Sequence, residues 1–308
     1  MPDLIYMVGV AGAGKSSVAM RYALTRSAII YSSDSIREEI YGDENCQKNP
    51  GRVFDILHQR VTKALKDGFN VAYDATNLSC KRRMNFLKSI AHIDCRKICV
   101  VVVTTPEDIE ERMKLRDRKV PMEVVHRQMC QFQCPNYYEG WDDIRIIYNS
   151  KPEDCHASYI KLWRECDIPH DNPHHSLSIM EHMNQAADIA EDFAWKDDDL
   201  SLVHERWVAR IHDIGKARTK SFTDRNGNPS EVAHYIGHQN YSAYYSLIFD
   251  NSDFDISLKH SLDNACLIQW HMEHYLRDGS ALDKFYKMIG PKLEKSLHIL
   301  EKVDKAAH

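Results

Sequence analysis

The segment GVAGAGKS at residues 9–16 has the residue types and the spacing of a phosphate-binding loop, G-x-x-x-x-G-K-[ST]. It follows a short apolar run and precedes a helix-like run. In such a loop the backbone N–H groups and the helix N-terminus bind phosphates, while Lys15 would reach the β- and γ-phosphates and Ser16 a Mg²⁺ ion. The pattern predicts a nucleotide site that is formed by Gly9, Gly12, Gly14, Lys15, Ser16 and Ser17.

A candidate acceptor site follows in YSSDSIR, residues 31–37. Asp34 comes directly after a predicted strand, at the sheet edge where ligands bind in open parallel sheets. Its carboxylate could accept the proton of an attacking hydroxyl group. Arg37 lies one helical turn further on and could hold a phosphate of the same acceptor. A second interpretation, compatible with the first, makes Asp34 the N-cap of the helix predicted at 35–41.

A second candidate site lies in the other half of the chain, which holds most of the 17 histidines. A His-Asp dipeptide occurs twice in this half. His170-Asp171 lies between prolines, where nothing is expected to hold a ligand rigidly, and we interpret it as a linker feature. His212-Asp213 lies in a predicted helix with apolar neighbours, so this dipeptide is the candidate site.

Further polar residues accompany the second dipeptide, each in a predicted helix of its own: His182, His238, His271 and Asp304. Imidazole and carboxylate ligands suit Mn²⁺, Fe²⁺, Ni²⁺, Co²⁺ or Zn²⁺. A bound ion of this kind lowers the pKa of water and neutralises the charge of a phosphate. Six other histidines are interpreted as ordinary polar residues of a helical bundle: His174, His175, His234, His260, His274 and His298.

Two kinds of fold are needed to position these residues. Strand-like runs alternate with helix-like runs up to residue 150, which predicts an α/β domain with a parallel sheet and right-handed crossovers. The strands are expected at 3–8, 27–33, 69–76, 96–105 and 144–150. After residue 150 an all-α domain is expected, with helices at 175–194, 200–217, 230–250, 256–276 and 290–307. A proline-containing linker at 164–175 divides the chain into domains 1–165 and 166–308.

The composition narrows the possible functions. A net charge of −5 argues against a protein that coats duplex nucleic acid, although a local basic pocket could still bind the end of a strand. Nine scattered cysteines without a C-x-x-C pair indicate a reducing compartment. The chain shows no apolar run of membrane-spanning length and no secretory signal, so we expect a cytoplasmic protein that does not bind membranes.

The phosphate-binding loop is followed, in this order, by SSDSIR (32–37), YDATN (73–77) and ERMKLRDRKVP (111–121). Together they resemble the kinase domain of the phage-type 5′-hydroxyl polynucleotide kinases over about residues 1–150. The resemblance implies that Asp34 is the general base and that Arg37 binds the acceptor phosphate. ATP or another NTP with Mg²⁺ would be the phosphoryl donor.

Two further features follow from the same resemblance. Arg116, together with Arg112, would come from a lid and bind the transferring phosphoryl group, and Arg118 is the alternative to Arg116. Asp74 and Asn77 fall where the acceptor site is expected. Small-molecule kinases of the broad P-loop group share parts of this pattern.

The order His, His-Asp, His, His, Asp resembles the HD phosphohydrolase superfamily over about residues 172–308. The resemblance implies a divalent metal site formed by His182, His212, Asp213 and Asp304. His238 and His271 would bind a second metal or the substrate phosphate. Lys216 would contact phosphate or protonate a leaving group. The pattern specifies hydrolysis of a phosphoester and leaves its substrate open.

The two resemblances together predict a bifunctional enzyme that heals RNA or DNA ends. It would phosphorylate a 5′-OH and remove a 2′,3′-cyclic or 3′-phosphate, so that a separate RNA ligase could join the strands. A small-molecule or nucleoside kinase fused to an HD nucleotidase is the first alternative. The second is a P-loop domain that senses nucleotide and controls an HD hydrolase.

Overall fold

A computed structural model describes residues 1–115, 119–173, 176–194, 202–251 and 258–307. The chain divides into two compact units. The first comprises Met1–Thr104, Ile109–Pro121 and Pro135–Asn149, and the second comprises Thr105–Asp108, Met122–Cys134 and Ser150–His308. The predicted limit at residue 165 does not coincide with this division. The helix that ends there belongs to the second unit, where the ring of Tyr159 packs against Phe249 with centroids 4.6 Å apart.

The first unit is built on a five-stranded parallel sheet, which confirms the predicted sheet type. The strands are β1 (Asp3–Val8), β2 (Ile29–Ser32), β3 (Val71–Asp74), β4 (Arg96–Val103) and β5 (Asp143–Tyr148). Their order in the sheet is β2-β3-β1-β4-β5. Strands β1 and β4 lie in the interior of this order and are almost continuously apolar and buried, as expected for strands covered on both faces.

Helices connect these strands at positions close to those predicted. They are α1 (Lys15–Arg26), α2 (Ser33–Tyr41), α3 (Pro50–Lys66), α4 (Cys80–Ser89), α5 (Pro106–Lys114) and α6 (Met122–Met129), followed by a 3₁₀ turn at Tyr137–Glu139. The longest, α3, begins with a proline after an Asn49 cap and buries Val53, Leu57 and Val61 on one face. Local signals in the sequence therefore account for these elements.

The second unit is mainly helical. It includes α6 and the helices that follow β5, namely α7 (Pro152–Glu165), α8 (Ile179–Ala194), α9 (Leu202–Ile211), α10 (Lys216–Thr219), α11 (His238–Asp250), α12 (Leu258–Trp270), α13 (Glu273–Leu276), α14 (Gly279–Ile289) and α15 (Pro291–Ala306). Helices α11 and α12 are buried on nearly all sides, so they are central, and α12 packs on α9 and α15. In the described ranges, none of the helices has the length and apolar content that crossing a bilayer requires.

The prediction of an all-α second half is wrong at residues 220–235. Two antiparallel strands, β6 (Lys220–Thr223) and β7 (Pro229–Tyr235), form a hairpin, and the helix predicted at 230–250 begins only at His238. The turn is stabilised by Asp224, whose Oδ1 accepts the backbone N–H groups of Asn226 and Asn228 at 2.8 Å each. Gly227 adopts a φ of +87°, which an L side chain tolerates poorly.

Candidate phosphate and metal sites

The phosphate-binding loop packs so tightly against the ends of β4 and β5 that two of its glycines have no room for a side chain. A Cβ on Gly14, which has a φ of +93°, would lie 2.1 Å from Nδ2 of Asn149. A Cβ on Gly9 would lie 2.7 Å from the carbonyl oxygen of Val102. The Nδ2 group of Asn149 also donates to the carbonyl of Ala13 at 2.9 Å. The loop conformation is thus fixed by the sheet below it.

Lys15, Ser16 and Asp74 come together at the start of α1. The buried Lys15 donates from Nζ to the carbonyl of Val10 at 2.9 Å, and Ser16 and Ser17 are exposed. Asp74 ends β3 and is buried; burial raises its pKa, against a hydrogen bond with Ser16 and the charge of Lys15. In P-loop enzymes an Asp beside the loop Ser helps to hold Mg²⁺. This position therefore favours a function for Asp74 on the nucleotide side, beyond the acceptor contact predicted from the sequence.

The carboxylate of Asp34 is paired with Arg37 at the same sheet edge. Nη1 of the buried Arg37 donates to Oδ1 of Asp34 at 2.6 Å. The side chain of Asp34 is 40% exposed, so a substrate could reach it. The N-cap of α2 is Ser32, whose Oγ accepts from the backbone N–H of Asp34 at 3.2 Å. Asp34 therefore lies in the first helical turn, and the interpretation of Asp34 as the cap is wrong.

Arg116 and Arg118 of the predicted lid lie outside the described residues. Asn77 and Arg112 are described, and their contacts differ from the predicted ones. Asn77 donates to the carbonyl of Met7 at 2.7 Å, and its Oδ1 accepts from the Tyr6 hydroxyl at 3.0 Å. Both ends of the Asn77 amide are thus bonded to β1, which favours a structural function over acceptor binding.

Arg112 lies against the phosphate-binding loop. Its Nη2 donates to the carbonyl of Asn149, while its Nη1 is buried and has no hydrogen-bond partner among the described residues. Nη1 lies 3.7 Å from the position that a Cβ on Gly14 would occupy. An unpaired cationic donor at this distance from the loop fits contact with a bound nucleotide.

A buried ion pair fixes the segment after β3. Arg83 donates to both carboxylate oxygens of Glu139, at 2.8 and 2.6 Å, and neither side chain is exposed. Nη1 of Arg83 also donates to the carbonyls of Asn77 and Leu78 at 3.0 Å, and Trp141 donates to Glu139 at 3.0 Å. The guanidinium group therefore holds the chain beside the phosphate-binding loop in one conformation. Neither Arg83 nor Glu139 was among the predicted site residues.

In the second unit, the six predicted metal ligands lie together. They form two groups whose potential ligand atoms lie within 4.8 Å of one another: His182, His212, Asp213 and Asp304, and Asp213, His238 and His271. Asp213 belongs to both groups, since its Oδ2 faces His212 at 3.4 Å and its Oδ1 faces His238 at 3.2 Å. We call these six residues the His/Asp cluster.

The ends of helices bring the cluster together. His182 lies in α8, His212-Asp213 in the turn after α9, His238 at the first position of α11, His271 directly after α12 and Asp304 in α15. The dipeptide is therefore just beyond the helix in which it was predicted. Its flanking apolar residues Ile211 and Ile214 are buried and anchor the turn.

Each imidazole of the cluster has the same orientation. Nδ1 lies 2.6 to 2.7 Å from a backbone carbonyl oxygen in every case: His182 from Ala307, His212 from Ala209, His238 from Tyr235 and His271 from Ile268. Because a carbonyl can only accept, each Nδ1 carries the hydrogen and each neutral ring directs the lone pair of Nε2 into the cluster. Metal-binding histidines are oriented by second hydrogen bonds of this kind.

The contacts inside the cluster call for a cation. Oδ1 of Asp304 lies 3.0 Å from Nε2 of His182 and 3.1 Å from Nε2 of His212, and the Nε2 atoms of His238 and His271 lie 3.3 Å apart. Acceptor lone pairs facing one another repel unless a positive charge lies between them. Oδ1 of Asp213 is buried and has no hydrogen-bond partner among the described residues. The donor set therefore fits divalent transition metals.

Without a metal, protonation would be the other source of positive charge. Burial opposes a charge on His212, but the carboxylates of Asp213 and Asp304 outweigh it and raise the pKa of His212 to about 10. Burial and the charge of His212 lower the pKa of His271 to about 3. Without a metal, His212 therefore carries the proton and His271 stays neutral. The charges of Asp213 and Asp304 act on the pKa of both residues.

Lys216 borders the cluster together with a histidine that the sequence analysis set aside. Nζ of Lys216 lies 2.6 Å from Oδ2 of Asp213 and 3.4 Å from Nε2 of His170. His170 is buried, and its Nδ1 donates to the carbonyl of Leu177 at 2.9 Å. The expectation that nothing holds His170 rigidly is wrong, because a bridge between Pro169 and Ser178 closes its loop. Burial and the charge of Lys216 lower the pKa of His170 to about 4, so it faces Lys216 as a neutral acceptor.

An open cavity of about 650 Å³ lies above the cluster. Its floor includes Asp213, His238, His271 and Asp304, and Lys216 also lines it. The cluster is therefore accessible to a ligand, with a lysine beside the carboxylate that both groups share.

Comparison with known proteins gives one family match and several similar solved structures. A family model described as an AAA domain matches residues 4–135. A protein from Chloroflexus aurantiacus j-10-fl, with a provisional description as a kinase, is similar at a TM-score of 0.40 and 15% identity, over 52% of this chain and 97% of the other. A gluconokinase from Sinorhizobium meliloti 1021 is similar at 0.37 and 18%, over 52% and 93%. No curated protein matches the chain significantly. The first unit thus combines a phosphate-binding loop pattern with a parallel α/β sheet, and the matched model covers most of it.

Proposed function

We propose that this chain is a bifunctional end-healing enzyme, an NTP-dependent polynucleotide 5′-hydroxyl kinase joined to a metal-dependent 2′,3′-cyclic phosphodiesterase and 3′-phosphatase. One observation carries the proposal. Four imidazoles direct Nε2, with two carboxylates, into one volume of a chain that also has a phosphate-binding loop pattern on a parallel α/β sheet. End healing needs two activities, one that adds a phosphate to the 5′ end and one that removes a phosphate from the 3′ end. The two candidate sites would supply one activity each.

In the kinase half, the NTP is the donor of the γ-phosphoryl group, and Mg²⁺ when bound would neutralise the charge of its oxygens. Asp34 accepts the proton of the attacking hydroxyl group. The hydroxyl oxygen forms a bond to the γ-phosphorus while the bond from this phosphorus to the β,γ-bridging oxygen breaks, and NDP leaves. Arg37, held by the hydrogen bond to Asp34, binds a phosphate of the acceptor. Lys15 would stabilise the phosphoryl oxygens, and Ser16 and Asp74, which are hydrogen-bonded to each other, would hold the ion.

In the hydrolase half, His182, His212, Asp213 and Asp304 would hold one divalent ion of Mn, Fe, Ni, Co or Zn, and His238 and His271 with Asp213 a second. When bound, such ions act as Lewis acids and lower the pKa of water. Lys216 contacts the phosphate or gives a proton to the leaving oxygen, and the neutral His170 keeps its ammonium group in place. The hydrogen bonds from Nδ1 to backbone carbonyls keep the four imidazoles in this orientation.

A second candidate is a small-molecule kinase fused to an HD nucleotidase. The Arg37–Asp34 pair favours it equally, because one buried guanidinium beside an accessible carboxylate could hold the anionic group of a small alcohol as well as a strand phosphate. A third candidate is a P-loop domain that senses nucleotide and controls the hydrolase. The Asp34→Ala variant distinguishes it from a kinase. A sensor keeps nucleotide control of hydrolysis in Asp34→Ala, whereas a kinase loses phosphoryl transfer.

The test uses an RNA oligonucleotide with 5′-OH and 2′,3′-cyclic phosphate ends, with ATP, Mg²⁺ and each transition metal in turn, and the products are weighed by mass spectrometry. Gain of a 5′-phosphate and loss of the 3′-terminal phosphate support end healing. Lys15→Ala should abolish only the first change and Asp304→Asn only the second. Phosphorylation of nucleosides or small alcohols with an unchanged oligonucleotide would favour the second candidate instead.

A further inference from the structure

Exposed apolar side chains line the cavity above the His/Asp cluster. Ile236 is 47% exposed, Tyr275 57% and Leu276 50%, and all three line the same cavity as the cluster. Ile236 follows the hairpin strand β7, and the other two lie in α13, so the apolar surface has contributions from two separate segments. Three exposed apolar groups beside such a polar floor indicate a ligand with one apolar face and one anionic end.

Tyr275 is held in place although more than half of it is exposed. Its ring centroid lies 3.7 Å from that of His274, and Nζ of Lys305 lies 5.6 Å from the same centroid. Nδ1 of His274 in turn lies 3.3 Å from Oε1 of Glu301 in α15. Burial of part of the side chain, with the charges of Asp304 and Glu301, raises the pKa of Tyr275 further above its ordinary value of 10.0, at which a phenol is already neutral near pH 7. A fixed neutral ring of this kind is suited to stacking.

The charged side chains that line the cavity fit a ligand with an anionic end. Lys216, Arg225 and Lys305 contribute three cationic groups. Among the described residues that line the cavity, the acidic ones are Asp213 and Asp304, which both belong to the His/Asp cluster. Outside the cluster the charged groups that line the cavity are therefore cationic, and Arg225 lies on the exposed turn of the hairpin. An anionic ligand that reaches beyond the cluster would meet positive charge.

We propose that this cavity is a nucleoside subsite, which binds the base and ribose of the nucleotide whose phosphate reaches the His/Asp cluster. The base stacks on Tyr275, with Leu276 and Ile236 beside it, because an aromatic platform accepts the π-face of any base. Arg225 and Lys305 contact the next phosphate when the nucleotide ends a strand. The proposal rests on the hydrolase half of the proposed function and specifies its substrate class.

The test compares two probes that differ only in the base, adenosine 2′,3′-cyclic phosphate and methyl β-ribofuranoside 2,3-cyclic phosphate. Their dissociation constants and kcat/KM values are measured on the full chain loaded with Mn²⁺. We expect the wild type to favour the adenosine compound by about 10-fold or more, the usual range for stacking of one base on an aromatic residue. Tyr275→Ala should remove this preference, and Tyr275→Phe should keep it.

Phe222→Ala is the matched control, since Phe222 is an aromatic residue of the same unit that is also about half exposed, and it lies in β6. It should leave the preference unchanged. Arg225→Ala separates two sources of the nucleotide. With a dinucleotide that ends in a 2′,3′-cyclic phosphate it should weaken binding more than with the mononucleotide if strand ends are the substrate, and equally if free nucleotides are.

Failure of the subsite and failure of the hydrolase give different results. Equal dissociation constants for the two probes, or a Tyr275→Ala variant that keeps the wild-type preference, would overturn the subsite even if both probes are hydrolysed. Tyr275-dependent binding of the adenosine compound without hydrolysis of either probe would support the subsite and contradict the proposed phosphodiesterase.

Discussion

Nζ of Lys216 lies 2.6 Å from Oδ2 of Asp213, the carboxylate that both groups of the His/Asp cluster share. The same ammonium group lies 3.4 Å from Nε2 of His170, so it is held between an anion and a neutral imidazole. This arrangement joins the loop before α8 to the turn after α9, and it explains why a residue of the first His-Asp dipeptide is buried beside the second. Its contribution can be tested separately from metal binding.

His170→Ala should lower the rate of phosphoester hydrolysis by about 10-fold, because Lys216 loses the acceptor that positions it, as for an outer-shell residue of a metal site. Metal content, measured by elemental analysis of the purified protein, should not change. His298→Ala, which alters a half-exposed histidine of α15, should have neither effect. A lowered metal content in His170→Ala would mean that His170 acts on the cluster itself and not through Lys216.

Asp304→Asn should reduce metal affinity by at least about 10-fold, the lower range found even for outer-shell substitutions. The carboxylate lies between Nε2 of His182 and Nε2 of His212, so its loss removes the anion that both imidazoles share. Titration of the metal-free protein with Mn²⁺ checks this, and the exposed Asp283→Asn is the control. Kinase activity should stay at the wild-type level, and a parallel loss would indicate general unfolding.

Asp34→Asn should lower kcat for phosphoryl transfer by about 10²- to 10⁴-fold, as expected for loss of a general base. Nucleotide binding should persist, since the phosphate-binding loop is untouched. The exposed Asp67→Asn at the end of α3 is the control. Transfer that survives in Asp34→Asn would exclude Asp34 as the base and direct attention to Asp74, whose pKa is raised by burial.

Arg83→Met should lower the free energy of unfolding by about 3–5 kcal/mol, because it leaves the Glu139 carboxylate buried without its partner. Chemical denaturation measures this. Arg82→Met changes the neighbouring, exposed residue of α4 and should cost little. Equal stability of the two variants would show that Glu139 is satisfied without the guanidinium group.

Asp250 should make the protein less stable at alkaline pH. Burial raises its pKa to about 7, whereas the ordinary value is 3.8. Its protonated form is favoured by folding, so the stabilisation is complete below about pH 4 and is lost as the pH rises through 7. The loss amounts to about 4 kcal/mol at most, since each pKa unit corresponds to about 1.4 kcal/mol. Unfolding curves of Asp250→Asn should therefore fall less between pH 5 and pH 9 than those of the wild type.

Local patterns in the sequence were sufficient for the phosphate-binding loop and the parallel sheet. Both depend on short signals, a glycine spacing and apolar runs that alternate with helices. The hairpin also had a local signal, because Asn226-Gly227 is a favoured turn dipeptide, but the surrounding residues were interpreted as part of a helix. The sequence therefore contained a signal for the hairpin, and the prediction of a helix from residue 230 overlooked it.

Other features depend on pairs that are distant along the chain. Arg83 and Glu139 are 56 residues apart, and His170 and Lys216 are 46 apart. Nothing in the neighbourhood of either residue predicts its partner, because the tertiary packing brings them together. Of the four Nδ1 hydrogen bonds of the cluster, three are local, to the residue three positions earlier, and that of His182 reaches Ala307, 125 residues away. Only the folded chain brings the four Nε2 atoms to one place, so the sequence could indicate the candidate ligands and not their arrangement. The ligand functions themselves stay predictions until metal binding is measured.

The separation of the cluster residues along the chain has a consequence for the lifetime of the second unit. His182 and Asp304 are 122 residues apart and lie on helices that touch only in the folded state. An ion bound by both would act as a reversible cross-link that closes most of this unit into one loop. Cells short of that metal would then hold less of the folded second unit, and the abundance of the protein would follow metal supply as well as synthesis.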